Sequence, residues 1–467
     1  MKNITAIRYE TKELNGDIYT PISLFQSLTG TKKFLLESSL KHEQSGRYSF
    51  IGSDPFLECR AYGDRIVLED LQDGEKTERR GKPLEVLEEL FPKENDFVPN
   101  LPFTGGAIGF IGYDVICQYE EIGVENEDQL AMPDIDLLFY EKVIVFDHLE
   151  QKVTLIAVDP WTKAQNNSQN LGHVLDEMET AIQKNLVHLE EEQVEKLQFQ
   201  SQTTKQAFMS KVEKAKRYIE EGDIFQVVLS QRLIADFKGK PFSFYRELRK
   251  SNPSPYMFYI DFEDYIVLGT SPESLVKVEG RTVTTNPIAG TRKRGMTVEE
   301  DVALEKELLS DEKEIAEHRM LVDLGRNDLG RVSEIGSIYL SKYMLIEKYK
   351  HVMHIVSEVK GQLKQGKTAL DALISCLPAG TVSGAPKIRA MQIINELEEV
   401  KRGAYSGAVG YIGINGNLDF ALAIRTMILK DEKAYVQAGA GIVHDSVPEQ
   451  EYEETLNKAK ALLEVRK

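Results

Sequence analysis

Two pairs of glutamates are the residues in this chain whose type and spacing best suit chemistry. Glu314 and Glu317 stand three positions apart in the segment 311–331, DEKEIAEHRMLVDLGRNDLGR, and Glu451 and Glu454 repeat that spacing near the C-terminus. On a helix, residues three apart share a face, so each pair places two carboxylates side by side. One such pair is often only a solvated acidic first turn. Two pairs that converge can bind a hard cation such as Mg²⁺, which prefers carboxylate oxygens.

Helices are predicted to carry both glutamate pairs. The segment 311–331 is rich in Glu, Lys and Ala, and its apolar residues form a stripe at helical spacing. The C-terminal pair follows a capping box formed by Ser446 and Glu449, which predicts a helix that begins at Ser446. A similar box at Thr203 and Gln206 predicts a further helix, ending at Gly222.

Residues 1 to about 160 are predicted to be mostly strands, and further strands are predicted after the helix that ends at Gly222. Residues 137–158 are expected to form a hairpin with its turn near 148–151, and 405–443 a meander with turns at Asn415-Gly416 and Asp431-Glu432. The polar segment 159–206 is expected to contain one surface helix and to mark the best boundary along the chain.

An arginine and a glycine-rich strand are predicted to meet in this meander. Neighbouring strands place Arg425 near Gly439, Ala440 and Gly441. A guanidinium beside bare backbone N–H groups is chemistry suited to a carboxylate. A second glycine-rich segment, 103–114, lacks the lysine of a phosphate loop, so close backbone packing is the expected reason for its glycines.

Composition narrows the class of protein. The chain has 467 residues and a net charge of −18, which makes nucleic acid an unlikely partner. No apolar run is long enough to cross a membrane, and no signal peptide is recognisable at the N-terminus. The three cysteines, Cys59, Cys117 and Cys376, are widely spaced, which favours a reducing cytoplasm over disulfides or zinc.

Nine motifs together resemble the chorismate-utilising enzymes, and within them the large subunits of anthranilate synthase. They occur in the order of that family and span nearly the whole chain. They are LLES (35–38), GRYSFIG (46–52), GDIFQVVLSQR (222–232), NPSPYM (252–257), PIAGTRKRG (287–295), AEHRMLVDLGRND (316–328), PAGTVSGAPK (378–387), QAGAGIV (437–443) and EYEET (451–455).

The resemblance implies an α+β fold, a sandwich of two β-sheets with helices packed outside. It implies one intertwined unit rather than two independent domains. Residues 1–200 would form an N-terminal regulatory portion, and residues 201–467 a catalytic, chorismate-binding portion.

The resemblance also implies roles for individual residues. Glu317 and Glu454 match direct Mg²⁺ ligands, and Glu451 and Glu314 match partners that act largely through metal-bound water. The matched positions fall into three further groups. They are His354, Glu314 and Thr381 in catalysis, Gly290, Thr291, Tyr405, Arg425 and Gly439–Gly441 in chorismate binding, and Ser38, Pro255, Tyr256 and Met257 in a tryptophan pocket.

The implied activity is the Mg²⁺-dependent amination of chorismate, followed by loss of pyruvate to give anthranilate. His354 is expected to act as general acid or as hydrogen-bond partner of the departing hydroxyl. The chain carries no recognisable glutaminase, so a separate glutamine amidotransferase subunit is expected to supply ammonia, and L-tryptophan is the expected feedback inhibitor.

Two positions bear on the alternatives. Relatives that add water carry a lysine base at the position of Gln226, and a neutral amide cannot deprotonate water. Many aminodeoxychorismate synthases carry a nucleophilic lysine at the position of Ala289. That test is one-sided, so aminodeoxychorismate synthase stays an alternative. A second alternative, from a different class of protein, is a non-catalytic regulator that only binds an aromatic acid.

Overall fold

The computed structural model describes residues 8–38, 46–92, 101–159, 170–185, 197–349 and 352–463. Within these residues the chain forms two large sheets whose named strands pair antiparallel. Helices cover the outer faces of both sheets. The expected α+β sandwich is therefore confirmed.

The first sheet contains twelve strands, eleven of them in one path. In spatial order they are β1 (Arg8–Asn15), β10 (Lys152–Asp159), β9 (Lys142–Asp147), β3 (Tyr48–Gly52), β2 (Phe34–Glu37), β13 (Tyr256–Asp261), β14 (Tyr265–Ser271), β23 (Thr426–Lys430), β24 (Lys433–Ile442), β12 (Gln226–Asp236) and β11 (Gln200–Ser201), with β20 (Gly384–Ala385) also paired to β12.

The second sheet also contains twelve strands. In spatial order they are β17 (Ile288–Lys293), β19 (Val352–Gln362), β16 (Thr282–Thr285), β15 (Ser274–Glu279), β22 (Leu418–Leu422), β21 (Ala408–Gly413), β7 (Gly106–Ile111), β8 (Ile135–Tyr140), β4 (Leu57–Tyr62), β5 (Arg65–Asp70) and β6 (Lys76–Arg80), with β18 (Tyr339–Lys348) paired to β19.

The described residues also form ten α-helices and two short 3₁₀ helices, the latter at Tyr113–Gln118 and Gly380–Val382. The α-helices are α1 (Pro21–Ser27), α2 (Pro83–Glu88), α3 (Leu171–Lys184), α4 (Lys205–Glu220), α5 (Pro241–Ser251), α6 (Val298–Ser310), α7 (Glu312–Gly330), α8 (Ala369–Cys376), α9 (Lys387–Leu397) and α10 (Pro448–Leu463).

The two portions of the chain are interleaved in both sheets. In the first sheet β2 from the N-terminal portion pairs with β13 from the C-terminal portion, and in the second sheet β7 pairs with β21. Apolar side chains from both portions, such as Phe34 and Phe258, fill the same core between the sheets. The chain is thus one structural unit. The division of roles at residue 200 stays a prediction.

The predicted helix at 311–331 is confirmed as α7. Its N-cap Asp311 accepts hydrogen bonds from the backbone N–H groups of Lys313 and Glu314, so the first turn begins where the acidic residues begin. The glycines of 103–114 also have the expected cause. A Cβ at Gly109 would stand 2.0 Å from the carbonyl oxygen of Asp136 on the neighbouring strand.

Four local predictions were wrong. Residues 405–443 do not form one meander, because β21 and β22 pair in the second sheet whereas β23 and β24 pair in the first. Residues 137–158 do not form one hairpin, because β8 lies in the second sheet and only β9 and β10 form a hairpin, in the first. Thr204, not Thr203, caps α4, since its side chain accepts from the N–H of Ala207. The helix α10 begins at Pro448 rather than at Ser446, whose hydroxyl instead accepts from the N–H of Val443.

Candidate active site

The four predicted carboxylates lie in the first two turns of α7 and α10. Glu314 forms an ion pair of 3.1 Å with Arg292 on β17, and Glu454 forms one of 2.8 Å with Lys458, one turn further along α10. The Lys458 ammonium also donates to the carbonyl oxygen of Gly439 at 3.1 Å. The second helix is therefore tied to the predicted substrate-binding strand.

Burial and neighbouring charges shift the pKa of one glutamate in each pair. Burial raises the pKa of Glu317, and the charge of Glu314 raises it further. Burial likewise raises the pKa of Glu451. The positive charges of Lys458 and Lys313 act on both Glu317 and Glu451, although these sit on different helices.

The chemistry of these side chains fits a divalent cation. Glu317 and Glu451 each have a raised pKa and a like-charged neighbour, and a hard cation would stabilise their ionised forms. As the side chains stand, no three acidic, histidine or cysteine groups among the described residues are close enough to form a metal centre. Lys458 provides positive charge to one of the four glutamates, because it forms an ion pair with Glu454.

His354 lies on β19, where it is held by the neighbouring strand β17. Its Nδ1 is 3.0 Å from the Gly290 carbonyl oxygen and 3.0 Å from the Thr291 hydroxyl. A carbonyl oxygen only accepts, so Nδ1 carries the proton and the neutral ring presents a lone pair at Nε2. Burial and the nearby Arg425 charge lower the pKa of His354, which favours this neutral form.

Arg425 precedes β23, next to the predicted glycine-rich strand β24, and the role of these residues in binding a carboxylate stays a prediction. Met427 pairs with Val436, so Arg425, two residues earlier, lies at the level of Ala438 and Gly439. The guanidinium is largely buried, which lowers the pKa of Arg425, and no described residue accepts a hydrogen bond from it in the structure. A buried guanidinium without a carboxylate partner suits an anionic ligand.

Tyr405 completes this wall of the site. A Cβ on Gly439 would stand 2.7 Å from the Tyr405 hydroxyl, so glycine is required for the ring to approach the strand. Gly441 is equally constrained, because a Cβ there would stand 2.6 Å from the Gln226 amide nitrogen. Ala440 points the other way, into the core beneath α4 and α9.

Sequence reasoning did not single out Glu273, which contacts the predicted catalytic residue Thr381. Glu273 stands between β14 and β15, and the Thr381 hydroxyl donates to its carboxyl at 2.8 Å. Burial raises the pKa of Glu273 to about 7. Both residues line the same pocket. The sequence offers only a weak signal for Glu273, a single glutamate two residues after the end of β14 at Ser271.

Comparison with known proteins decides the family. The family model described as chorismate binding enzyme matches residues 32–464. Anthranilate synthase component 1 from Acetivibrio thermocellus is 50% identical over 464 residues, covering 97% of this chain and 94% of that protein. The chain belongs to the chorismate binding enzyme family.

Further family members agree with this assignment. Anthranilate synthase component 1 from Lactococcus lactis is 49% identical and is covered over 99% of its length. The crystal structure of anthranilate synthase component I from Streptococcus pneumoniae superimposes with a TM-score of 0.81 at 44% identity, covering 96% of this chain and 98% of that one. The resemblance drawn from the nine motifs is confirmed.

The predicted tryptophan-binding residues of this chorismate binding enzyme are also brought together. Met257 pairs with Glu37, so Ser38 at the end of β2 lies beside Tyr256 at the start of β13, and Pro255 precedes it. These residues come from the two portions of the chain. Their role as a pocket stays a prediction.

No described helix is long and apolar enough to span a membrane. Cys59 and Cys376 are buried free thiols, and Cys117 is a partly buried one. Burial raises the pKa of each of these thiols to about 12, so none of them is a ready nucleophile.

Proposed function

We propose that this chain is the chorismate-converting component of an anthranilate synthase. It aminates chorismate with ammonia and then eliminates pyruvate to give anthranilate. The observation that carries the proposal is the near 50% identity to proteins of that name across 97% of the chain. The geometry supports it, because each step of this chemistry has a suitably placed side chain.

Chorismate has two carboxylates, and the site offers a separate receptor for each. The Arg425 guanidinium and the backbone of Gly439–Gly441 would bind one, with Tyr405 as the adjoining wall. The other would lie toward the four glutamates that would hold Mg²⁺. Glu317 and Glu454 would hold the ion directly, and Glu314 and Glu451 through water. When bound, the ion supplies charge neutralisation and a fixed orientation for the ring carboxylate.

Glu273 is the proton donor that the leaving hydroxyl requires. Hydroxide is a poor leaving group, and a carboxyl with a pKa near 7 is still substantially protonated at neutral pH. The Thr381 hydroxyl donates to Glu273 and fixes the carboxyl in the pocket. Proton transfer of this kind contributes roughly 10²–10⁴-fold to the rate.

His354 then has a role different from that of an acid. Its Nδ1 proton is bound to the Gly290 carbonyl, and its lowered pKa keeps the ring neutral, so Nε2 is an acceptor. After amination, a ring proton must leave together with pyruvate. His354 Nε2 is the base that accepts it.

Nitrogen comes from a partner subunit. The relatives are named component 1, which implies a second component. Glutamine hydrolysis needs a nucleophile such as an activated thiol, and the three cysteines here have raised thiol pKa values. A glutamine amidotransferase subunit therefore supplies ammonia in the cytoplasm.

L-tryptophan regulates the enzyme from the pocket formed by Ser38 and residues 255–257. Its wall joins β2 of the N-terminal portion to β13 of the catalytic portion. The Tyr256 hydroxyl donates to Asp419 on β22 at 3.0 Å, and β22 pairs with β15, which follows Glu273. Binding at the pocket can thus shift the catalytic sheet without contact with chorismate.

The separate roles of Glu273 in amination and His354 in elimination are tested with His354→Gln. This variant should consume chorismate and ammonia while forming little pyruvate or anthranilate, because amination needs Glu273 and elimination needs His354. Chorismate, pyruvate and the aminated intermediate are measured by chromatography. A variant that forms pyruvate and anthranilate at the wild-type ratio and rate would contradict the proposal.

A further inference from the structure

The most buried ion pair of the described residues lies directly behind the substrate wall. Arg402 is 2% exposed, and its guanidinium binds the Glu398 carboxylate twice, at 2.7 and 2.8 Å. The ring of Tyr405 lies over the same guanidinium, with its centroid 5.6 Å away. Tyr113 packs on it as well, at 4.8 Å. Arg402 thus supports one substrate-binding side chain by direct contact.

The remaining donors of Arg402 reach two more segments of the site. One donates to the carbonyl oxygen of Val382 at 2.8 Å, in the 3₁₀ turn that carries Thr381. Another donates to the carbonyl oxygen of Val228 at 2.7 Å. Val228 pairs with Gly441 across β12 and β24.

Glu398 extends the same arrangement along β12. Its carboxylate accepts hydrogen bonds from the backbone N–H of Ser230 at 2.8 Å and from the Ser230 hydroxyl at 2.9 Å. Ser230 pairs with Gly439. The ion pair therefore binds β12 opposite both of the glycines that are expected to receive the substrate carboxylate.

We propose that Arg402 and Glu398 form a positioning unit that fixes the Thr381 turn, Tyr405 and the Gly439–Gly441 backbone in one mutual arrangement. The three segments are distant in sequence, and the guanidinium contacts each of them directly or through β12. Its planar guanidinium has five donors in a fixed geometry, whereas a lysine ammonium has three on a flexible stem and cannot bind a carboxylate in the same bidentate way. This inference rests on the proposed function of those segments.

The test compares Arg402→Met and Arg402→Lys with the wild type, well below their melting temperatures. For the Met variant we expect KM for chorismate to rise about 10-fold and kcat to fall about 10-fold, since a misplacement of about 1 Å can cost about 10²-fold in rate. The Lys variant should recover part of both. We also expect both variants to release aminated intermediate, seen as chorismate consumed without pyruvate.

The matched control is Lys32→Met, which breaks another buried ion pair. Lys32 binds Glu58 at 3.2 Å, and neither residue contacts the predicted substrate-binding segments. We expect this variant to lose thermal stability but to keep the wild-type KM and the wild-type ratio of pyruvate to chorismate consumed. Loss of folded enzyme alone lowers the apparent kcat and changes neither quantity.

A folded Arg402→Met with wild-type KM and a wild-type pyruvate ratio would overturn the proposal. If Arg402→Met does not fold, Arg402→Lys and Glu398→Gln are measured in its place. A wild-type KM and a wild-type ratio of pyruvate to chorismate consumed in both variants would likewise overturn the proposal. Anthranilate formation by the wild-type protein distinguishes a failure of the positioning proposal from a failure of the proposed function. If it forms no anthranilate, the function is wrong, and if it does while the variants are unaffected, only the positioning role is wrong.

Discussion

Replacing Glu273 with glutamine should weaken catalysis and stabilise the fold at the same time. The variant keeps the shape of the side chain and its contact with Thr381 but cannot give up a proton. We expect kcat to fall about 10²–10⁴-fold. In the wild type, kcat/KM for chorismate should decline above pH about 7, where the Glu273 carboxyl loses its proton.

The stability effect follows from the same pKa. Raising it from 4.5 to about 7 corresponds to about 3 kcal/mol, at about 1.36 kcal/mol for each pH unit. The unfolded chain loses this proton near pH 4.5, whereas the folded chain holds it until about pH 7. The free energy of unfolding therefore falls as the pH rises through this interval. Glutamine has no such penalty, so the variant should be more stable by up to about 3 kcal/mol at pH 8 and nearly equal at pH 4.

Two measurements check this prediction. Thermal unfolding is recorded at pH 4 and pH 8, and the rate is followed from pH 6 to 9 with free ammonia held constant. Glu279→Gln is the control, because Glu279 lies on β15 and its side chain is 55% exposed. The reasoning is refuted if Glu273→Gln keeps full activity, or if its stability relative to wild type does not increase with pH.

Three further predictions concern the metal, the nitrogen source and the regulator. Glu317→Gln and Glu454→Gln should each weaken Mg²⁺ binding at least about 10-fold in calorimetry and nearly abolish turnover. The control is Glu453→Gln on the exposed side of α10, which should change neither Mg²⁺ affinity nor turnover. Unchanged Mg²⁺ affinity in Glu317→Gln and Glu454→Gln would refute the metal assignment. The purified chain should use ammonium salts at elevated pH but not glutamine until the amidotransferase subunit is added, so glutamine-dependent activity without that subunit would count against the partner. Ser38→Phe should fill the pocket and give an active enzyme that L-tryptophan no longer inhibits. In the wild type, a coupling of roughly 1–3 kcal/mol should change chorismate affinity about 5–150-fold, and a wild type indifferent to millimolar tryptophan would disprove regulation.

Local patterns were sufficient to predict individual elements. The helix α7 follows from its composition and its cap, and the turns at 415–416 and 431–432 connect the strands β21 to β22 and β23 to β24 as expected. The failure at 137–158 has a physical cause. Tyr140 and Lys142 belong to different sheets, and Glu141 is the only residue between them. Hydrophobic periodicity identifies a strand but not the sheet that it joins.

The site depended on contacts that the sequence pattern does not contain. Arg425 could be placed beside Gly439 because neighbouring strands fix that relation. Glu273 could not be recognised, since its raised pKa arises from burial by segments that include Thr381, more than one hundred residues away. The convergence of the two glutamate pairs was likewise only plausible from spacing, and it stays a prediction that the family resemblance implies.

Product analysis tests the central claim most directly. The purified chain is incubated with chorismate, Mg²⁺ and ¹⁵N-labelled ammonium at elevated pH, and the products are separated and identified by mass spectrometry. The account predicts ¹⁵N-anthranilate and pyruvate in equal amounts. Labelled aminodeoxychorismate with no pyruvate, isochorismate, or unchanged chorismate would each contradict it.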